Sequence, residues 1–400
     1  MSHIEEMIRE LCPNGVEYKK LKNTTTITRG VRVVKSQLQS IGSYPVYQNS
    51  LTPMGYYDKY NCSANTTFII GAGSAGEIGY SSVDFWAADD CFFFVCPDNL
   101  QSRFLYFVLL SQQNIIRSQV RKASIPRLGR AIIENIEIPV PPLAIQNEIV
   151  NILDKFTELE AELEAELEAR RKQYEYYRNK LLNFSEFTPP QEGEVKWLAM
   201  SEIFEIKNGY TPSKAKPEYW TNGTIPWFRM EDIRTNGRIL EDSIQHITPE
   251  AVKGGRLFPA NSIILATTAT IGEHALIIAD SLANQQFTNL SIRKSLADEL
   301  DMKFFFYYMF IVDEWCKNNT NTSGFESVDM VKFKKLQIPI PPMKEQQRIV
   351  AILDKFETLV NDISEGLPAE IAARRQQYEY YRDKLLTFKR KEDAKIQPCC

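Results

Sequence analysis

The chain has 400 residues, 44 % hydrophobic and 24 % charged, with a formal net charge of −4. That composition describes a folded globular protein rather than a disordered or fibrous one, and no apolar run is long enough for a transmembrane helix. The acidic balance gives no overall signal for nucleic acid, and the length calls for two or more domains.

In chain order, the polar start "MSHIEEMIRELCPNG" is not a signal peptide. The cysteines are scattered: Cys91 and Cys96 are five apart, Cys399 and Cys400 sit in a polar tail, and His3, His246 and His274 lie near none of them. Zinc-ligand spacing is therefore lacking, and a reduced cytoplasmic setting is expected. "NTTFIIG" reads as a strand. "FIIGAGSAGEIGY" (68–80) contains G-x-G-x-x-G after that strand, and Asp89 and Asp90 follow at the distance of a ribose-binding acid. A dinucleotide site needs a helix N-terminus straight after the glycines. The following "EIGYSSVDFWAADDCFFF" is strand-like, so these glycines are expected to form a turn. "RFLYFVLLSQQNIIRSQV" reads as a buried helix. Signatures for ATP binding, zinc hydrolysis, serine nucleophiles and amino-group methylation are missing.

Pro141-Pro142 marks the start of a long helix. Ile149, Ile152, Phe156, Leu159 and Leu163 follow a 3,4 spacing, a coiled-coil seam. The run "ELEAELEAELEA" contains Glu158, Leu159, Leu163 and Leu167; its four-residue period locally unwinds a left-handed coil. The seam resumes at Tyr174, Tyr177 and Leu181.

The same plan then returns. "IPVPPLAIQNEIVNILDKF" (138–156) faces "IPIPPMKEQQRIVAILDKF" (338–356), and "RRKQYEYYRNKLL" (170–182) faces "RRQQYEYYRDKLL" (374–386). Upstream, "GSYPVYQN" lies over "GTIPWFRM", and "VEYKKLKNTTTITRG" over "VKWLAMSEIFEIKNG". "NSIILATT" matches the first strand, and "DMKFFFYYMFIVDEWCKN" the buried helix. The sister glycine segment, "IILATTATIGEHAL", keeps Gly272-Glu273 opposite Gly76-Glu77 and has Ala266 and Thr268 in place of the first two glycines. The second seam runs through Ile349, Phe356, Ile363, Tyr378, Tyr381 and Leu385, and Pro368 should break or kink it.

A helix of about 39 residues is roughly 58 Å long and must bury its stripe. Antiparallel packing on its own copy is expected; packing of each helix on its own globular part is the alternative. The expected class is α+β, with two mixed α/β domains (1–142 and 188–342), two long antiparallel helices forming a coiled coil (143–187 and 343–390), a polar tail (391–400) and an internal pseudo-two-fold.

Two copies of "IP-x-PP … IV-x-ILDKF" followed by "ARR-x-QYEYYR-x-KLL" resemble the central helices of type I restriction–modification specificity subunits. The resemblance covers essentially the whole chain. The four-residue run is similar to the branch carrying such repeats in its first helical spacer, although that branch shows T-A-E-L rather than E-L-E-A. It implies a non-catalytic subunit whose two target-recognition domains each read one half of a bipartite DNA site. The helices would set the spacing and dock two methyltransferase subunits, joined by two restriction subunits. S-adenosylmethionine, ATP and Mg would belong to those partners, and no cofactor or metal to this chain.

Charge is distributed to match. Residues 145–187 hold 6 Lys+Arg against 10 Asp+Glu, whereas residues 1–144 hold 14 against 12; residues 188–342 hold 16 against 19, so the second domain is not basic. Candidate DNA readers lie in polar loops. In the first domain they are Arg29, Arg32, Lys35, Gln48, Asn49, Lys59 and Arg127. In the second they are Asn208, Tyr210, Thr211, Ser213, Lys214, Arg229, Arg234, Arg238, Thr267 and Thr268. Taken singly, each is more often a solvated surface residue than a base contact; taken as sets under the resemblance, the balance reverses. A scaffold joining two protein-binding modules is the alternative function.

Overall fold

The computed structural model describes residues 2–184, 195–321, 326–361 and 366–391. Ile363 and the tail cysteines Cys399 and Cys400 lie outside the described residues. The chain divides into two compact units: residues 1–165 with 369–400, and residues 166–368.

In the first unit a four-stranded antiparallel sheet has the order Thr26–Arg29, Cys91–Val95, Thr66–Ile70, Ile78–Ser81. The apolar helix Ser102–Ser111 packs on it and buries Phe104, Leu105 and Phe107. A small second sheet pairs Tyr44–Tyr47 antiparallel with Tyr56–Tyr57 and parallel with Trp86–Ala87. The second unit repeats this design. Its main sheet runs Phe204–Asn208, Phe287–Ile292, Ser262–Ala266, His274–Ile277, with Ile239–Leu240 added in parallel at the edge. Helix Met302–Asn318 covers it, and the small sheet is Ile225–Phe228 with His246–Ile247 and Leu282–Ala283.

Three helices complete the units: α1 (Leu143–Leu182), α2 (Met343–Asn361) and α3 (Leu367–Leu386). Both α1 and α2 begin directly after a Pro-Pro pair, because proline tolerates the start of a helix and not its interior. Pro368 is the second residue of α3, in the first turn, where its missing N–H costs nothing. Gly366, just before α3, is not helical, so Pro368 sits in a fresh helix start rather than in a helix interior.

Each helix start is fastened to its own unit by a buried glutamine. The Gln146 amide donates to the Asn99 and Pro141 carbonyls (2.9 and 2.7 Å) and accepts from the Gln101 N–H at 2.9 Å. Gln346 repeats the pattern with the Glu299 and Pro341 carbonyls (3.2 and 2.8 Å) and the Asp301 N–H at 2.8 Å. Two turns further on, Asp154 pairs with Arg103 and Asp354 with Lys303, each at 2.7 Å.

Within the first unit α1 and α3 run antiparallel. Phe156 stacks on Tyr381 (ring centroids 5.7 Å apart) and meets Tyr378 at 6.4 Å, while Glu160 and Glu164 both pair with Arg375. Within the second unit the same contacts recur between α1 and α2, with Phe356 at 6.1 Å from Tyr174 and 5.8 Å from Tyr177. The helices also join the globular cores: Ile149 and Leu153 pack in one cluster with Leu105 and Leu385, and Ile349 and Leu353 with Phe305 and Tyr174. Both expected packings are therefore present. Leu159, expected in the seam, is 48 % exposed. Helical drift over the four-residue repeat turns Glu160 toward Arg375 in its place, while Leu163 and Leu167 stay half-buried. Leu181 and Tyr381 are half-buried, and Leu385 is buried.

Candidate nucleic-acid interface

The glycine segment is a loop between two antiparallel strands, Thr66–Ile70 and Ile78–Ser81, so no helix N-terminus faces it. The Gly76 N–H donates to the Ile70 carbonyl (2.8 Å) and the Ile70 N–H to that of Glu77 (2.9 Å). Gly73 and Gly76 have φ of 85° and 86°, the left-handed region where a side chain is strained. In the second unit the Gly272 N–H donates to Ala266 (3.1 Å) and the Ala266 N–H to Glu273 (2.7 Å). These bonds correct the expected register by one residue: Thr267 stands where Gly71 does, and Ala269 where Gly73 does. Ala269 keeps the positive φ, at 64°. The conserved backbone geometry confirms the loops as turns.

Other segments converge on each loop. In the first unit Asn49 accepts from the Ser74 N–H (2.8 Å), and Pro126 from the Gly73 N–H (3.1 Å). Arg121 and Arg127 exchange backbone hydrogen bonds (2.9 and 3.2 Å), folding "RKASIPR" into a hairpin against the loop. The Gly71 N–H reaches the Asp90 carbonyl (2.7 Å), and Gly30 rests on the Ala88–Cys91 turn through a bond to the Cys91 carbonyl (2.8 Å). Arg29 clasps that turn as well, its Nε donating to the Asp89 carbonyl at 2.6 Å, and Gln48 reaches the Asp89 carboxylate at 3.5 Å. Arg29, Gln48, Asn49 and Arg127 are thus brought together. Arg32 and Lys35 follow on the exposed loop after Gly30, and Lys59 is exposed beyond strand Tyr56–Tyr57.

The second unit gathers Asn208, Thr211, Thr267 and Thr268 around the equivalent loop and its neighbouring turn. Thr288 bridges Thr267 (3.0 Å) and Asn208 (3.1 Å), which leaves the buried Thr267 hydroxyl committed internally. Thr211 donates to the Gln285 side chain. Thr268 bridges Ser327 much as Ala72 bridges Arg127 in the first unit. The Arg229 guanidinium pairs with Glu231 at 3.0 Å. Three further expected readers also have partners within the unit. The Tyr210 hydroxyl donates to Ala251 (3.2 Å) and accepts from the Lys253 N–H (2.7 Å). Arg238 donates to the His274 carbonyl (2.9 Å) and lies over the Phe310 ring. The Ser213 carbonyl receives the Trp220 indole N–H at 3.2 Å. Lys214 and Arg234 are exposed.

Asp89, Asp90, Gln285 and Gln286 of this turn are not among the expected readers, because the glycine spacing invites a nucleotide role for the two aspartates. Laying "AADDC" over "ANQQF" would have revealed a shared turn with changed chemistry. Among the described residues no cluster of His, Cys, Asp and Glu could hold a metal ion, and no helix is long and apolar enough to cross a membrane.

A family model, the type I restriction modification DNA specificity domain, matches residues 13–169 and again 193–373. The EcoR124I/EcoR124II specificity subunit of Escherichia coli is 37 % identical over 321 residues, covering 74 % of either chain. A putative type I specificity subunit of Haemophilus influenzae is 34 % identical, over 93 % of this chain and 96 % of that one. The EcoprrI specificity subunit of E. coli is 56 % identical over 206 residues, about half of each chain (50 % and 51 %). Among solved structures, the S subunit of a type I system from M. genitalium has a TM-score of 0.57 at 17 % identity, over 93 % of this chain and 96 % of that one. A chain from a study of type I complex assembly has 0.65 at 14 %, over 93 % and 97 %. The fold is shared with both. With the family's domain matched twice along its length, the chain belongs to the DNA specificity subunits of type I restriction–modification systems.

Proposed function

We propose that the chain gives a type I restriction–modification complex its DNA sequence specificity and does no chemistry itself. Residues 1–142 and 188–342 serve as target-recognition domains, each reading one half of a bipartite, asymmetric site. Residues 143–187 and 343–390 serve as spacers that set the gap and dock two methyltransferase subunits; two restriction subunits complete the complex. The partners carry S-adenosylmethionine, ATP and Mg, and the assembly works in the cytoplasm.

The observation that supports this best is the twin loop platform: one backbone design, built twice, with different polar side chains around it. That is what two half-sites of different sequence require, since bases are told apart by donor and acceptor patterns in the groove. The acidic spacer, repelled by phosphate, fits a role away from the duplex.

Methylome sequencing of cells expressing the methyltransferase partner with and without this chain tests the reading. A chain-dependent bipartite motif is expected. Its absence, with a stable complex formed, would favour a protein-binding scaffold. Exchange of residues 195–342 for a foreign recognition domain should change one half-site only. Light scattering of the co-purified complex should give two methyltransferase subunits per chain.

A further inference from the structure

We infer that Asp89 in the first unit and Gln285 in the second are equivalent specificity-determining residues, one for each half-site. The inference rests on the DNA-reading function proposed above and goes beyond it to particular side chains.

Three independent pairs of hydrogen bonds make the two positions equivalent. The turn closes from the Cys91 N–H to Ala88 (2.9 Å) and from the Phe287 N–H to Asn284 (3.2 Å). It is seated on the small sheet by Ala88 N–H to Tyr47 (2.8 Å) and Asn284 N–H to Phe228 (3.0 Å). It is joined to the loop by Gly71 N–H to Asp90 (2.7 Å) and Thr267 N–H to Gln286 (2.9 Å). A Cβ on Gly30 would come within 2.2 Å of the Ala88 carbonyl, and one on Gly209 within 2.2 Å of that of Asn284. The neighbouring strand is therefore pressed onto the turn in both units, and the turn is a rigid mount.

On that shared mount the side chains differ in hydrogen-bonding sense. The Asp89 carboxylate only accepts. Gln48 approaches one of its oxygens, at 3.5 Å, and the half-buried carboxylate keeps acceptor capacity beyond that contact. Beside phosphates a carboxylate is repelled, so its productive partner is a base amino group, N4 of cytosine or N6 of adenine. Gln285 is exposed, and the Thr211 hydroxyl occupies its carbonyl oxygen. Its amide N–H groups are left outward, suited to an acceptor edge such as purine N7.

The test uses the chain in complex with its methyltransferase partner. The wild-type methylome defines both half-sites; if no bipartite motif depends on the chain, the function proposed above fails rather than this inference. Competition binding and methylation are then measured on duplexes substituted one base pair at a time, for Asp89→Asn and separately for Gln285→Glu. Asp89→Asn is expected to cut discrimination about 5- to 150-fold at one position of one half-site, with the other half-site unchanged. Gln285→Glu should do the same at one position of the opposite half-site. Wild-type discrimination at every position, or a uniform loss across all sequences, would overturn the inference. A variant that did not assemble would leave the other to decide, since each is read on its own half-site.

Discussion

At the scale of single residues, the buried glutamines that fasten the helix starts make the strongest demand on sequence. Gln146 and Gln346 are fully buried and satisfy three backbone groups each. Gln146→Leu keeps the volume but leaves the Gln101 N–H and two carbonyls without partners. A buried donor stranded in this way costs about 1–3 kcal/mol. Urea denaturation should show at least that loss, and Gln346→Leu the same in its own unit. Tyr378 carries a pH dependence. Burial, with Tyr106 beside it, pushes its phenol up to about 12. A folded-state value above the unfolded one favours the neutral phenol, so its stabilisation is intact below about pH 10 and fades as pH rises through 12. Unfolding midpoints between pH 9 and 12 should fall less steeply for Tyr378→Phe than for the wild type. The glutamines stand within the helix motif yet give no sign of being clamps, because the chain they fasten lies some 45 residues upstream. The Asp89 turn was hidden for the same reason: Arg29 and Gly30, Tyr47 and Gln48, and Gly71, which hold it, come from three separate stretches of chain.

At the scale of elements, periodicity spoke more plainly. The strands at "NTTFIIG" and "NSIILATT", the apolar helix Met302–Asn318 and the Pro-Pro helix starts are where alternation, apolar runs and proline place them, whereas the expected helix over "RFLYFVLLSQQNIIRSQV" is two, Ser102–Ser111 and Gln113–Ser118. The seam was legible to within one residue; the error at Leu159 arises because a four-residue repeat drifts around the helix faster than a heptad. Arg375 adds a property to the ELEA run that the leucines do not suggest. It pairs with Glu160 and Glu164, which occupy the same place in successive repeat units. Deleting Glu162–Ala165 brings Glu168 into the position of Glu164, so the pairing survives the deletion. Exposed pairs of this kind contribute no more than about 1 kcal/mol, but their repetition keeps register neutral. The shortened chain should melt within about 1 kcal/mol of the wild type. One repeat unit is about 6 Å of helix, so the proposed gap between half-sites should shorten by one or two base pairs of about 3.4 Å. Methylome mapping of the deletion checks it: an unchanged gap in an active complex would reject the spacer as a ruler.

At the scale of the whole molecule, two copies of one plan were visible in the sequence, but the way the chain is shared between the units was not. Linear matching assigns each helix to the domain before it. The structure instead assigns α3 to the first unit, where Leu385, Leu386 and Phe388 close the core around Ile149 and Leu153. Residues 389–391 then pair with Val16 through bonds of 2.8 and 3.0 Å. The second unit, by contrast, is one continuous stretch, residues 166–368. This has a consequence for the order of events during synthesis. The apolar face around Ile149 emerges from the ribosome more than 200 residues before its cover, a wait of about 10–50 s at ordinary elongation rates. The unit that begins first is the one completed last, and its half-finished core is the natural target for a chaperone in the interval. A chain stopped after Pro368 should freeze that intermediate. Hydrogen exchange should then find protection lost in Ser102–Ser111 and at the start of α1, with Met302–Asn318 as protected as in the full chain.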